Sequence, residues 1–181
     1  MTCEPRRAGE RVGPLAVTVR GTPVPAGSKI PRIIPRVPGT RTGPPTAFRA
    51  ILVDSSDMGG PNRKGGRRRD WSDAIEQAAR VAATGLPQFE GPLQVRMVFV
   101  MPRPKSHRCK SGVPRESAPI YPISKPDVDK LWRLASDALT HAGVWADDSR
   151  VVDMKASKRY DDREPAGVMI TVEEIVQEGD K

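Results

Sequence analysis

Apolar and polar positions begin to alternate at Leu15. In "LAVTVR", Leu15, Val17 and Val19 share one side, the period of a half-buried strand, and Gly21, Pro23 and Pro25 break it. "IPRIIPRVPGTRTGPP" is too rich in proline for a central strand and predicts an extended loop or sheet edge, its three arginines facing solvent or a ligand. "AFRAILVDS" resumes as a strand. At Asp70 the period changes: Trp71, Ile75, Ala78 and Ala82 fall on one helical face, and Gly85 followed by Pro87 stops it. "PLQVRMVFVMP" is the clearest strand. Leu93, Val95, Met97, Phe99 and Met101 share one face and Val98 and Val100 partly cover the other, which predicts an interior position. A second helix runs from about Asp127 to His141, with Leu131, Leu134, Ala135, Ala138, Leu139 and Ala142 at helical spacing and Gly143 as its stop. "SRVVDMKASKRY" and "GVMITVEEI" then read as two strands of an antiparallel hairpin around "DDREPA".

The order β, β, α, β, α, β, β, with no internal repeat, predicts a single α+β domain: a mixed sheet with two helices. Residues up to Gly13 are polar and expected to fray. The domain is expected over residues 14–176, with 177–181 as a tail.

Composition narrows the partners. A chain of 181 residues suffices for one domain with a real core, and at 4% aromatic that core rests on aliphatic side chains. Lys and Arg outnumber Asp and Glu by 30 to 22, and the net charge of +8 points to a polyanion, nucleic acid first. A basic membrane-surface protein is disfavoured, because no strongly apolar amphipathic helix accompanies the charge. Cys3 and Cys109 are too few for a disulfide framework or a four-ligand zinc site. The first residues lack the apolar core of a signal peptide and no run approaches a membrane span, so a soluble, cytoplasmic protein is expected. "DMGGPNRKGGRRR" crowds Arg63, Lys64, Arg67, Arg68 and Arg69 into a basic loop, which serves either as a solvated linker or as an arm for phosphates.

Against this charge, "KPDVDKLWR" places Asp127 and Asp129 at the mouth of the second helix, and Asp147 and Asp148 follow its end. Helix capping accounts for one first-turn acid well and a second tolerably. It leaves the later pair unexplained. If the strand beginning near Val151 runs beside the helix start, an acid from that pair meets Asp127 and Asp129. Converging carboxylates repel unless a cation joins them, and magnesium fits, being held by one or two carboxylates with water and phosphate filling its octahedron. Arg133, one turn after Asp129, offers a fixed charge to a phosphate.

The block "KPDVDKLWRLASDALTHAGVWADDSRVVDMKASKRY" closely resembles the RusA family of Holliday-junction resolvases of bacteria and their phages, which carries P-D-x-D-N-L-x-K, a D-A-L helix end, then D-D before a strand with V-V and a K-x-Y-like end. "GTPVPAGSK" looks like that family's first-strand motif, and the resemblance spans roughly Leu15 to Ile175. It implies a magnesium-dependent homodimer that cuts four-way DNA junctions by symmetric nicks in recombination and repair. The metal-binding acids then map onto Asp127, Asp129 and Asp148, with Asp147 adjacent. The family's catalytic lysine corresponds to Arg133, and Lys130 replaces the usual Asn. Lys29, Lys105, Lys125, Lys130 and Lys158, with Arg67, Arg68 and Arg69, are candidates for DNA-backbone contacts, though any one of them taken alone is more readily read as ordinary surface charge. A flap or fork nuclease, and a junction-binding protein with weakened cleavage, are the alternatives.

Overall fold

The structure, a computed structural model, describes residues 13–27, 29–37, 42, 44, 46, 48–54 and 65–175. Its strands are β1 (Leu15–Arg20), β2 (Lys29–Pro35), β3 (Phe48–Asp54), β4 (Leu93–Met101), β5 (Val151–Tyr160) and β6 (Gly167–Glu174). The helices are α1 (Gly65–Ala82) and α2 (Val128–His141). Most of the expected frayed N-terminus, with Arg63 and Lys64, lies outside the described residues. No helix among the described residues is long and apolar enough to cross a membrane.

Four strands form a mixed sheet in the order β1-β6-β4-β5. Strand β4 pairs antiparallel with β6 and parallel with β5, and β6 pairs antiparallel with β1. The register places Val17, Ile170, Met97 and Ala156 in one row across the sheet, and Val19, Val168, Phe99 and Lys158 in another. The apolar residues of these rows lie on the face covered by both helices, with Ile75 and Ala79 from α1 and Leu131, Ala135, Ala138 and Leu139 from α2 closing the core. Gly21, at φ +137°, ends β1 where an added Cβ would come within 3.0 Å of the Trp71 ring. Only glycine turns the chain there without displacing the indole.

Three expectations change. The last two strands are not a hairpin: β4 lies between β5 and β6. Apolar on both faces, β4 takes the interior, whereas β5 is mostly exposed and takes the edge. A parallel β4–β5 pair needs a crossover, and α2 provides it. The proline-rich segment is an edge strand, β2, one of the two forms expected of it, but it pairs with β3 in a separate two-stranded sheet, where each strand has an open edge that tolerates proline. Helix α1 begins at Gly65, five residues before Asp70, so Arg67, Arg68 and Arg69 sit in its first turns instead of a loop.

Candidate active site

Asp127 occupies the N-cap position of α2 with extended backbone, yet its side chain makes no capping hydrogen bond. Its Oδ2 instead accepts from Lys130 Nζ at 2.9 Å. That hydrogen bond first, then the charges of Lys130, Lys125 and Lys158, hold the carboxyl below the ordinary aspartate range. Asp129 lies exposed in the first turn of α2. Both carboxylates therefore face solvent at the helix end where the dipole favours anions, ringed by lysines. Capping does not explain Asp127.

The mouth is fixed from β5. Lys158 stands in a core-face row at the sheet edge, and its Nζ donates to the carbonyls of Ser124 at 3.0 Å and Pro126 at 2.8 Å. A second tie comes from the loop after β1: the Ala26 N–H donates to the Lys130 carbonyl at 2.9 Å, and Arg133 Nη2 donates to the Gly27 carbonyl. Half-buried Arg133 thus binds that loop to α2. A guanidinium carries five N–H donors, and this bond uses one.

Asp147 and Asp148 differ in their work. Asp147 precedes the 3-10 turn Asp148–Arg150 and its Oδ1 accepts from the Ser149 N–H at 2.8 Å; the Ser149 side chain first, and this backbone bond second, hold its carboxyl below the usual range. Asp148 is exposed in the turn itself.

The expected convergence of Asp148 with Asp127 and Asp129 does not occur within one chain. Because β5 runs parallel to β4, and α2 returns between them, β5 starts at the far end of α2 and finishes at its mouth. Seven residue steps separate Val151 from Lys158, roughly 23 Å of strand. Among the described residues, no three His, Cys, Asp or Glu side chains form a group able to hold a metal ion. The Asp127–Asp129 pair by itself suits magnesium, which uses one or two carboxylates and otherwise water and phosphate, once Lys130 yields its place on Asp127.

Of the other candidates, Lys125 is exposed beside the acids, Lys130 is paired with Asp127, and Lys105 is exposed in a 3-10 turn after β4. Arg67 and Arg69 are exposed on α1 and Arg68 is half-buried there. Lys29 opens β2, and its side chain lies outside the described part of the structure.

Sequence reading missed a supporting network. Arg103 is buried and paired with Asp162 through Nε–Oδ1 at 2.7 Å and Nη2–Oδ2 at 2.5 Å, with its guanidinium 4.0 Å from the centre of the Tyr160 ring. Arg103 Nη1 also donates to the Pro119 carbonyl at 2.9 Å, and Asp161 Oδ1 accepts from the Arg103 N–H and from Arg108 Nη2, both at 2.8 Å. These bonds tie the loop between β4 and α2 to the turn after β5. The pairs that join the loop to the turn lie 53, 58 or 59 residues apart, and nothing local marks them.

The chain thus folds as an α+β protein with an acid pair at a lysine-ringed helix mouth. The family model described as "Endodeoxyribonuclease RusA" matches residues 62–173, and the chain belongs to that family. It is also similar to the uncharacterized protein YqaN of Bacillus subtilis (strain 168), 35% identical over 99 residues that cover 52% of this chain and 69% of that protein.

Proposed function

We propose that the chain is a magnesium-dependent, structure-specific endodeoxyribonuclease that resolves four-way DNA junctions by paired symmetric nicks, as a homodimer, in recombination and repair. The observation that carries this reading is the exposed Asp127–Asp129 pair held at the mouth of α2 among Lys125, Lys130 and Lys158. Membership of a family of endodeoxyribonucleases supports the phosphodiester chemistry.

Asp127 and Asp129 would hold the ion, whose charge would polarise a scissile phosphate and acidify a water. Lys130, displaced from Asp127, is free to meet a phosphate oxygen. Arg133 steadies charge developing on the phosphate with the N–H groups that Gly27 does not occupy. Lys158 acts at one remove, fixing the carbonyls of Ser124 and Pro126 so that the two acids keep their places.

The remote Asp148 supports the homodimer. β5 is the outer strand of its sheet, and along it Val152 and Met154, the latter in the core-face row of Val95, remain 64% and 58% exposed. A two-fold axis across this edge sets the two β5 strands antiparallel. The start of one then lies beside the finish of the other, which brings the partner subunit's Asp148 to the mouth of α2. Each site then draws two acids from one chain and the third from the other. Two such sites related by the axis match opposed strands of a four-way junction.

Incubation of the protein with synthetic junction, fork and linear duplex, with and without magnesium, tests the proposal. Paired symmetric nicks in the junction, only with magnesium, are expected. Preferential single cuts on forks or flaps instead contradict it.

A further inference from the structure

The loop entering α2 displays an apolar tip that the chemistry above does not use. Ile120, Tyr121 and Ile123 are 78%, 66% and 85% exposed, while Pro122 between them is buried. The Ile123 N–H donates to the Tyr121 carbonyl at 3.0 Å, closing a tight turn around the proline. Both stems are anchored: Arg103 holds the Pro119 carbonyl on one side, and Lys158 the carbonyls of Ser124 and Pro126 on the other. Large apolar side chains are thus held out in water on a braced turn, four residues from Asp127. Lys125 adjoins them, and the same loop carries exposed Lys105 and Lys110.

We propose that Tyr121 and Ile123, flanked by Ile120, form a base-binding tip that takes up unstacked bases at the branch point of the DNA substrate; this rests on the reading of the chain as a branched-DNA nuclease. Charge selects the occupant. Protein-interface cores are depleted of charged groups, whereas this patch is small, bordered by lysine and next to the phosphate-cleaving acids. Nucleic-acid sites combine cations for the backbone with aromatic platforms on which bases stack. Apolar side chains also serve as wedges between base steps. Tyr121 supplies the platform and Ile123 the wedge. The rigid stem keeps both at a fixed offset from the acids, so that the scissile phosphate is chosen by its distance from the branch.

The test uses a four-way junction carrying 2-aminopurine beside the branch point, in EDTA so that no cleavage intervenes, with the full chain and its Tyr121→Ala and Ile123→Ala variants. The wild-type protein raises the fluorescence as the base leaves the stack. Each variant loses most of that rise and binds on the order of tenfold more weakly. The slope of log affinity against log salt stays unchanged in both, since apolar contacts release no counterions, while Lys125→Ala flattens it. Variants that match wild type in fluorescence and affinity overturn the proposal. So does a shift from dimer to monomer in sedimentation of either variant, which makes the patch a subunit contact. Wild-type protein that fails to prefer junction over duplex removes the nuclease reading and this inference together, whereas wild-type binding and cutting with unaffected variants removes the inference alone.

Discussion

Two exposed aspartates, Asp127 and Asp147, are both held in the charged form, for different reasons. The Ser149 side chain and backbone N–H fix Asp147, a structural task, whereas lysines fix Asp127. Asp129→Asn and Asp148→Asn are therefore expected to lose cleavage by on the order of 10²-fold or more, while circular dichroism and junction binding in EDTA remain near wild type. Asp147→Asn, measured beside them, retains cleavage, because an amide oxygen still accepts from Ser149. Arg133→Ala slows turnover by about 10²–10³-fold and also releases Gly27, so its effect extends to substrate affinity. A rate unchanged by Arg133→Ala removes this side chain from the chemistry. The acids were legible because D-x-D before a helix and DD before a Val-rich strand are local patterns. The job of Arg133 on the Gly27 carbonyl was not, since a bond across 106 residues leaves no local trace.

At the scale of elements, the Arg103–Asp162 pair joins the loop after β4 to the turn after β5. Asp162→Asn leaves buried Arg103 without its counter-charge and is expected to cost about 3 kcal/mol in denaturant unfolding. The pH dependence follows from the same pair. The Arg103 hydrogen bond holds the Asp162 carboxyl below its ordinary range in the folded chain. Its stabilisation is thus complete above that range and is lost as pH falls through the lowered folded value. Melting temperatures of the wild type should fall on acidification more steeply than those of Asp162→Asn, which has no such proton to take up. Most elements could be read from hydrophobic period alone, including β4 as an interior strand. The pairing of β5 could not. Proximity in sequence favoured a hairpin with β6, and only the competition for the sheet interior, won by β4 with apolar residues on both faces, sends β5 to the edge. Asp148 lies away from Asp127 for another reason: α2 carries the chain from its mouth to the end of the sheet where β5 starts.

For the whole molecule, the proposed dimer rests on Asp148 lying away from Asp127 and Asp129 and on an edge strand bearing exposed Val152 and Met154. Met154→Glu places a charge in that contact and should shift the protein to monomer by sedimentation, with cleavage lost though every acid is intact. The account's central claim is that each active site is shared between subunits, and mixing two inactive variants tests it most directly. Asp129→Asn and Asp148→Asn proteins, each inactive alone, are combined, allowed to exchange subunits and given junction DNA with magnesium. In a mixed dimer, one site joins the intact helix mouth of the Asp148→Asn chain to the intact Asp148 of its partner. Random exchange should restore about a quarter of the wild-type nicking sites, as single nicks. A mixture that exchanges subunits yet stays inactive contradicts the shared site.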